Sequence, residues 1–218
     1  MPYILLLITM AFASSSQAEV YTVAVTDEYA DLYASQGDRL DDRFDCPLTA
    51  AGIEYEVVRR PLARILYELN RGTIDIGFPF VADKARDRFA TRTHPVISSR
   101  YFFVMDGQAT LDLDDPEQRV AFVRGFSGYS TIEHRLVGGM EISSLAQGIT
   151  LLSVGRVDAV LTTEQLYRHH PAHLTNRLKA RPAGKINAGY YVDDDHPKLV
   201  AALNEGIEQC RGLSLSRR

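Results

Sequence analysis

The stretch that decides the fold is LYELNRGTIDIGFPFVADKARDRF, residues 66–89. Just upstream, Pro61 is suited to open a helix, because its missing N–H is one the first turn does not use. Leu62, Ile65, Leu66 and Leu69 then share one helical face. Gly72 favours the left-handed conformation that ends a helix. Residues 73–78 are almost wholly apolar, as expected of a short strand buried on both faces of a parallel sheet. Three cations, Lys84, Arg86 and Arg88, follow within five residues just beyond that strand.

A second stretch repeats the device. In ITLLSVGRVDAVLTT, residues 149–163, an apolar helix again ends in Gly, and an Asp and an apolar strand follow. Gly72-Thr73-Ile74-Asp75 matches Gly155-Arg156-Val157-Asp158. The chain therefore reads as two α/β units of similar build. Strands alternating with helices imply parallel sheets and right-handed crossovers. Residues 20–26 and 53–58 read as further strands, and residues 29–49 stay open, with room for a short helix. Between the units, YFFVM at 101–105 reads as a long strand leaving the first. Near the end come a strand, a turn at Asp193-Asp194-Asp195 and a helix with Leu199, Leu203, Ile207 and Cys210 on one face. The chain then crosses between units twice, which is the layout of a hinge.

The 218 residues have ordinary globular composition and a net charge of -4. Nucleic-acid binders are usually basic, so that class is disfavoured. Residues 4–13 form an apolar run, too short to span a bilayer as an ordinary helix. Small residues follow up to Ala18, so residues 1–18 read as a signal peptide with cleavage before Glu19. Met1-Pro2-Tyr3 lacks the usual Lys or Arg. No Cys follows the run to carry a lipid, and no later segment suits a membrane span, so the mature chain reads as exported and soluble. Export favours pairing of the two cysteines, Cys46 and Cys210, in one disulfide. Two buried free thiols are the alternative. His169 and His173 have helical ligand spacing, but Pro171 between them breaks the helix. These two and His170 read as a surface loop, and no metal or cofactor is expected.

In order and spacing, the segments PLARILYELNRGTIDIG, DKARDRFATRTHPV, VAFVRGFSGYS, LLSVGRVDAV and YYVDDDHPKLVAALNEGI resemble bacterial extracellular solute-binding proteins of the polar amino-acid uptake type, family 3-like. The resemblance implies the α/β type II periplasmic-binding-protein fold. Its two lobes, each a mostly parallel sheet flanked by helices, are joined by two hinge crossings. Residues 19–104 and 189–218 would form lobe one, and 105–188 lobe two. It implies a periplasmic monomer that captures a small carboxylate-bearing ligand, an amino acid or related organic anion, by hinge closure for ABC-type uptake. The partner would be a membrane permease complex. A sensing or accessory protein of the same fold, with a sensor protein as partner, remains open.

Arg86 stands nine residues before Pro95, the position from which the family grips a ligand carboxylate. A guanidinium offers two parallel donors to a carboxylate, and open α/β sheets bind ligands at their carboxyl edge. Gly125, Ser127 and Gly128, after a strand ending at Arg124, are expected to open a helix whose free N–H groups favour an anion. Arg64 occupies a Pro-x-x-Arg position near the cleft. Tyr29 and Phe80 are candidates to stack on the ligand, while Phe78 reads as core. Amino-acid binders place an Asp where this chain has Leu161-Thr162-Thr163, with Glu164 one beyond. Thr163 and Glu164 are therefore the candidates for the far end of the ligand. Some proteins of this fold are dehydratases, but Asp27 and Glu164 carry no local mark of an activated acid or base. There is no nucleophile elbow or phosphate loop, so no enzyme activity is expected.

Overall fold

The computed structural model describes residues 19–34, 42–131, 139–174 and 177–216. The signal-peptide reading at 1–18 lies outside them. In the first half of the sheet, β1 (Val20–Val25) lies between β2 (Glu54–Arg59) and β3 (Ile76–Val81), all parallel. In the second half, β6 (Val120–Val123) lies between β7 (Gly139–Ile142) and β8 (Ala159–Thr163), also parallel. Two long strands join the halves: β5 (Ile97–Asp106) and β9 (Leu178–Asp193) pair antiparallel from Ile97↔Ala188 to Asp106↔Leu178. The strand order is β2-β1-β3-β9-β5-β8-β6-β7, with β4 (Ala90–Arg92) added on β9.

The same turn precedes β3 and β8. Helices α3 (Leu62–Leu69) and α4 (Leu145–Ser153) lead into Gly72 and Gly155, with φ of 63° and 69°. Glycine reaches this left-handed region without a Cβ penalty. The next amides, of Thr73 and Arg156, donate back to Glu68 O at 3.0 Å and Leu151 O at 2.9 Å, which caps the helix. Asp75 Oδ2 then accepts the Thr22 amide at 2.7 Å, and Asp158 Oδ2 the Arg119 amide at 2.8 Å. Each Asp thereby fixes the register of its strand against the central strand of its half. Because the turn takes up Thr73, Ile74 and Asp75, β3 begins at Ile76 and runs through Pro79 to Val81, three residues later than the sequence suggests.

Apolar side chains form clusters on each half. On the first, Val23, Phe44, Phe78, Tyr190 and Leu203 pack on one sheet face, and Ile65, Leu69, Phe80 and Tyr191 on the other. On the second, Phe103, Val120 and Leu161 face one way, and Val104, Leu152 and Val160 the other. Ile97 and Ala188 belong to the first half's core, whereas Tyr101 and Ile186 belong to the second's. The stretch left open in the sequence holds α1 (Asp27–Ala34) and α2 (Asp42–Ala50). The terminal helix α6 (Pro197–Ser216) buries Leu199, Leu203 and Ile207 and packs on α2. There Cys46 and Cys210 form the disulfide, with Cα atoms 6.1 Å apart. The acidic turn at 193–195 faces solvent only in part: Asp194 and Asp195 are exposed, but Asp193 is buried. No helix among the described residues is long and apolar enough to cross a membrane.

Candidate functional site

The carboxyl ends of β1, β3, β6 and β8 converge between the halves on a cavity of about 280 Å³. Its walls are largely apolar and aromatic, including Tyr29, Phe78, Phe80, Tyr101, Phe126 and Leu161. Both halves contribute to these walls. The floor carries Arg86, at the start of a single 3₁₀ turn after β3. It is 5% exposed, which for a guanidinium demands compensation. Nη1 donates to Val81 O at 3.0 Å and Nη2 to Gly125 O at 2.8 Å. Its guanidinium carbon lies over the Phe80 ring, 4.8 Å from the centroid. An arginine has five N–H groups; these two bonds leave three without an acceptor among the described residues. No carboxylate there forms an ion pair with it. Burial pulls its pKa below the usual value, and the fields of Asp83, Tyr101, Tyr191 and Asp87 oppose that.

Tyr29, in α1, and Thr163, which caps α5 (Glu164–His169), meet across the cavity. Their hydroxyls are 3.0 Å apart, and burial pushes the phenol's ionisation up. The second half also contributes Ser127, whose Oγ is 3.1 Å from the Tyr101 hydroxyl.

Arg86, Tyr29, Phe80, Ser127 and Thr163 thus come together on one cavity. Phe78, read as core, is both core and wall. Four other candidates lie off the lining. Gly125 touches the first half instead: with φ of 83° it presents its carbonyl to Arg86, and a Cβ there would come within 2.9 Å of Leu66 Cδ1. Gly128 is buried against Phe126 and Tyr101. Arg64 sits on the exposed face of α3 and donates to Glu68 at 2.6 Å. Glu164 turns to Arg100, which donates to it twice at 2.8 and 3.0 Å, and also accepts from Arg168. The Arg100 hydrogen bond holds its pKa below the usual glutamate value.

The helix expected after Gly128 is a 3₁₀ turn, Ser127–Thr131, among the described residues. The carboxylates that do line the cavity, Asp27, Glu28 and Asp31, come from α1, a helix the sequence reading left open. Asp31 is already held by Arg59 at 2.7 Å. Asp27 is already named from the sequence as a candidate acid or base; an acidic cluster in the turn after a first strand is the signal that would have added Glu28 and Asp31.

Among the described residues no metal-capable group includes His169 or His170, and the His173 side chain lies outside the described ones. The one group of metal-capable side chains among the described residues is Asp75, Asp193 and His196. Its atoms already serve the fold: His196 Nε2 is 3.2 Å from Asp75 Oδ1, and Asp193 Oδ1 accepts the Asp195 amide.

No protein-family model and no curated protein sequence matches this chain. Solved structures do. The arginine-, lysine-, histidine-binding protein ArtJ from Geobacillus stearothermophilus aligns at a TM-score of 0.77 and 17% identity, over 89% of this chain and 90% of that one. A substrate-binding protein of an amino acid ABC transporter aligns at 0.75 and 13%, over 90% and 95%. Arginine-bound ArgBP from T. maritima aligns at 0.73 and 15%, over 87% and 95%. At such identities the likeness carries the fold: this chain is a two-lobed α/β protein of the type II periplasmic-binding-protein architecture.

Proposed function

We propose that the protein is an exported solute receptor that captures a small carboxylate-bearing ligand, an amino acid or related organic anion, by closing its two lobes on it for ABC-type uptake. The observation that carries this reading is Arg86, a buried guanidinium with no carboxylate partner among the described residues, on a cavity walled by both lobes. A ligand carboxylate would supply the missing counter-charge and accept the spare N–H groups. Two contacts between the lobes, Arg86 to Gly125 and Tyr29 to Thr163, belong to the closed arrangement. A ligand that touches both lobes favours closure by its differential affinity. The lobes change over between Ile97 and Tyr101 on one hinge strand and between Ile186 and Ala188 on the other, and the hinge is assigned there. The solved neighbours, one described as an arginine-, lysine-, histidine-binding protein and one as the substrate-binding protein of an amino acid ABC transporter, support the capture role. The composition of residues 1–18 supports export to the periplasm.

An α-amino acid would need a partner for its ammonium. Glu164 is committed to Arg100 and Arg168, so Asp27 or Glu28 would have to serve. The test is a thermal-shift panel of amino acids, hydroxy acids and plain carboxylates on the purified chain, because binding to the native state raises Tm. Stabilisation by at least one carboxylate, lost in Arg86→Ala, supports the reading. A panel without any stabilising carboxylate, or a hit whose Kd ignores Arg86→Ala, overturns it. Asp27→Asn and Glu28→Gln then separate amino acids, which lose affinity, from plain acids, which do not.

A further inference from the structure

A second cavity, of about 420 Å³, adjoins the first along the hinge. Phe80, Val81, Tyr101, Ser127 and Ile186 line both, so the Tyr101–Ser127 hydroxyl pair stands where they meet. The chemistry of the second is different. Its charged lining residues are Arg92 and Lys185, and no carboxylate lines it. Neither cation has a hydrogen bond or ion pair among the described residues. Both are exposed, and they share this with Arg71, Arg88 and Arg156, which also hold no carboxylate among the described residues; what sets them apart is that they line one cavity that no carboxylate lines. Arg59, Arg64, Arg100, Arg119 and Arg124 each hold a carboxylate at 2.6–2.9 Å. Two neutral polar side chains also line it: Asn187 from the hinge strand, whose Oδ1 accepts from Ser98 and whose amide N–H groups stay free among the described residues, and Ser130 from the second lobe, whose hydroxyl donates to Ser127 O at 2.7 Å.

We propose that this second cavity binds a small multivalent oxyanion, such as phosphate, sulfate or a short dicarboxylate. Two cations unpaired among the described residues, with an amide N–H donor at Asn187, suit an anion with several oxygens better than a halide. Arg92 comes from the first lobe and Lys185 from the hinge, while Ser127 and Ser130 come from the second lobe. An anion held by Arg92 and Lys185 that also reaches the second-lobe wall at Ser127 and Ser130 would favour the closed approach of the lobes. By linkage it tightens whatever the first cavity binds, and is tightened by it in return.

The experiment is a titration of the purified chain with sodium phosphate, sulfate and malonate at constant ionic strength balanced with chloride, read by thermal shift and by calorimetry. Saturable stabilisation by any of the three is expected, with Kd weakened about tenfold or more in the Arg92→Ala/Lys185→Ala double variant. A response to malonate alone assigns a dicarboxylate; one to phosphate or sulfate assigns a tetrahedral anion. Arg86→Ala is expected to retain a saturable response, shifted only by the lost closed-state contact to Gly125, while losing carboxylate binding in the first cavity, so the two sites fail separately. No saturable response, an unchanged response in the double variant, or a response lost only in Arg86→Ala overturns the proposal.

Discussion

At the scale of the residue, one buried cation organises the site. Arg86 is held by two carbonyls, one from each lobe, and neither carries a full negative charge. Arg86→Ala should weaken ligand binding by about 1.5–3 kcal/mol, the range for hydrogen bonds to charged groups, as measured by calorimetry. Glu164→Gln should leave the same affinity unchanged, because Arg100 and Arg168 hold that carboxylate off the cavity lining. Asp158 gives a pH prediction. Arg119 hydrogen bonds lower its pKa in the folded state. Its stabilisation is therefore fully present above the unfolded pKa and lost as pH falls through the folded one. Thermal denaturation from about pH 5 down to about pH 2 should show a shallower loss of Tm in Asp158→Asn than in the parent chain.

At the scale of the element, the turn into β3 and the turn into β8 are one design used twice. A helix is closed by a left-handed Gly, and an Asp side chain takes an amide from the neighbouring strand. Asp75→Ala leaves the Thr22 amide without its acceptor and should cost about 1–3 kcal/mol of stability by urea denaturation. The loop after β6 behaves differently. Gly125 combines φ of 83° with close contact to α3 of the other lobe. A Cβ at that φ costs about 1–2 kcal/mol, and Leu66 would also have to move. Gly125→Ala should therefore weaken ligand affinity, while the closed-state bond from Arg86 loses its geometry. Equal affinity by calorimetry would show that closure does not need this approach.

At the scale of the whole molecule, the disulfide ties α2 to α6 across 164 residues of sequence. Loop-closure entropy sets an upper estimate of about 5 kcal/mol for that constraint. The Cys46→Ser/Cys210→Ser variant should melt at a clearly lower temperature than the oxidised parent. Reductant should lower the parent's Tm toward the variant's and leave the variant's unchanged. The two lobes share one continuous sheet through β5 and β9, so the proposed closure would be a bend in two strands rather than the docking of separate bodies. Small-angle scattering should record a smaller radius of gyration with ligand than without.

Local order fixed much of this in advance. The helical face of Leu62, Ile65, Leu66 and Leu69, the paired Gly-x-x-Asp turns and the apolar strands follow from short-range periodicity and backbone preference. They give two α/β units with a hinge, and they put Arg86 beyond a sheet edge. What the sequence by itself determined is therefore the architecture and the main cation. Only the tertiary structure decided the partners. Arg86 meets a carbonyl 39 residues away, Tyr29 meets a hydroxyl 134 residues away, and Glu164 turns to Arg100 instead of the cavity. Patterns along the chain report the face a side chain lies on, but side-chain pairing depends on how two separately built lobes approach, and no local preference encodes that distance.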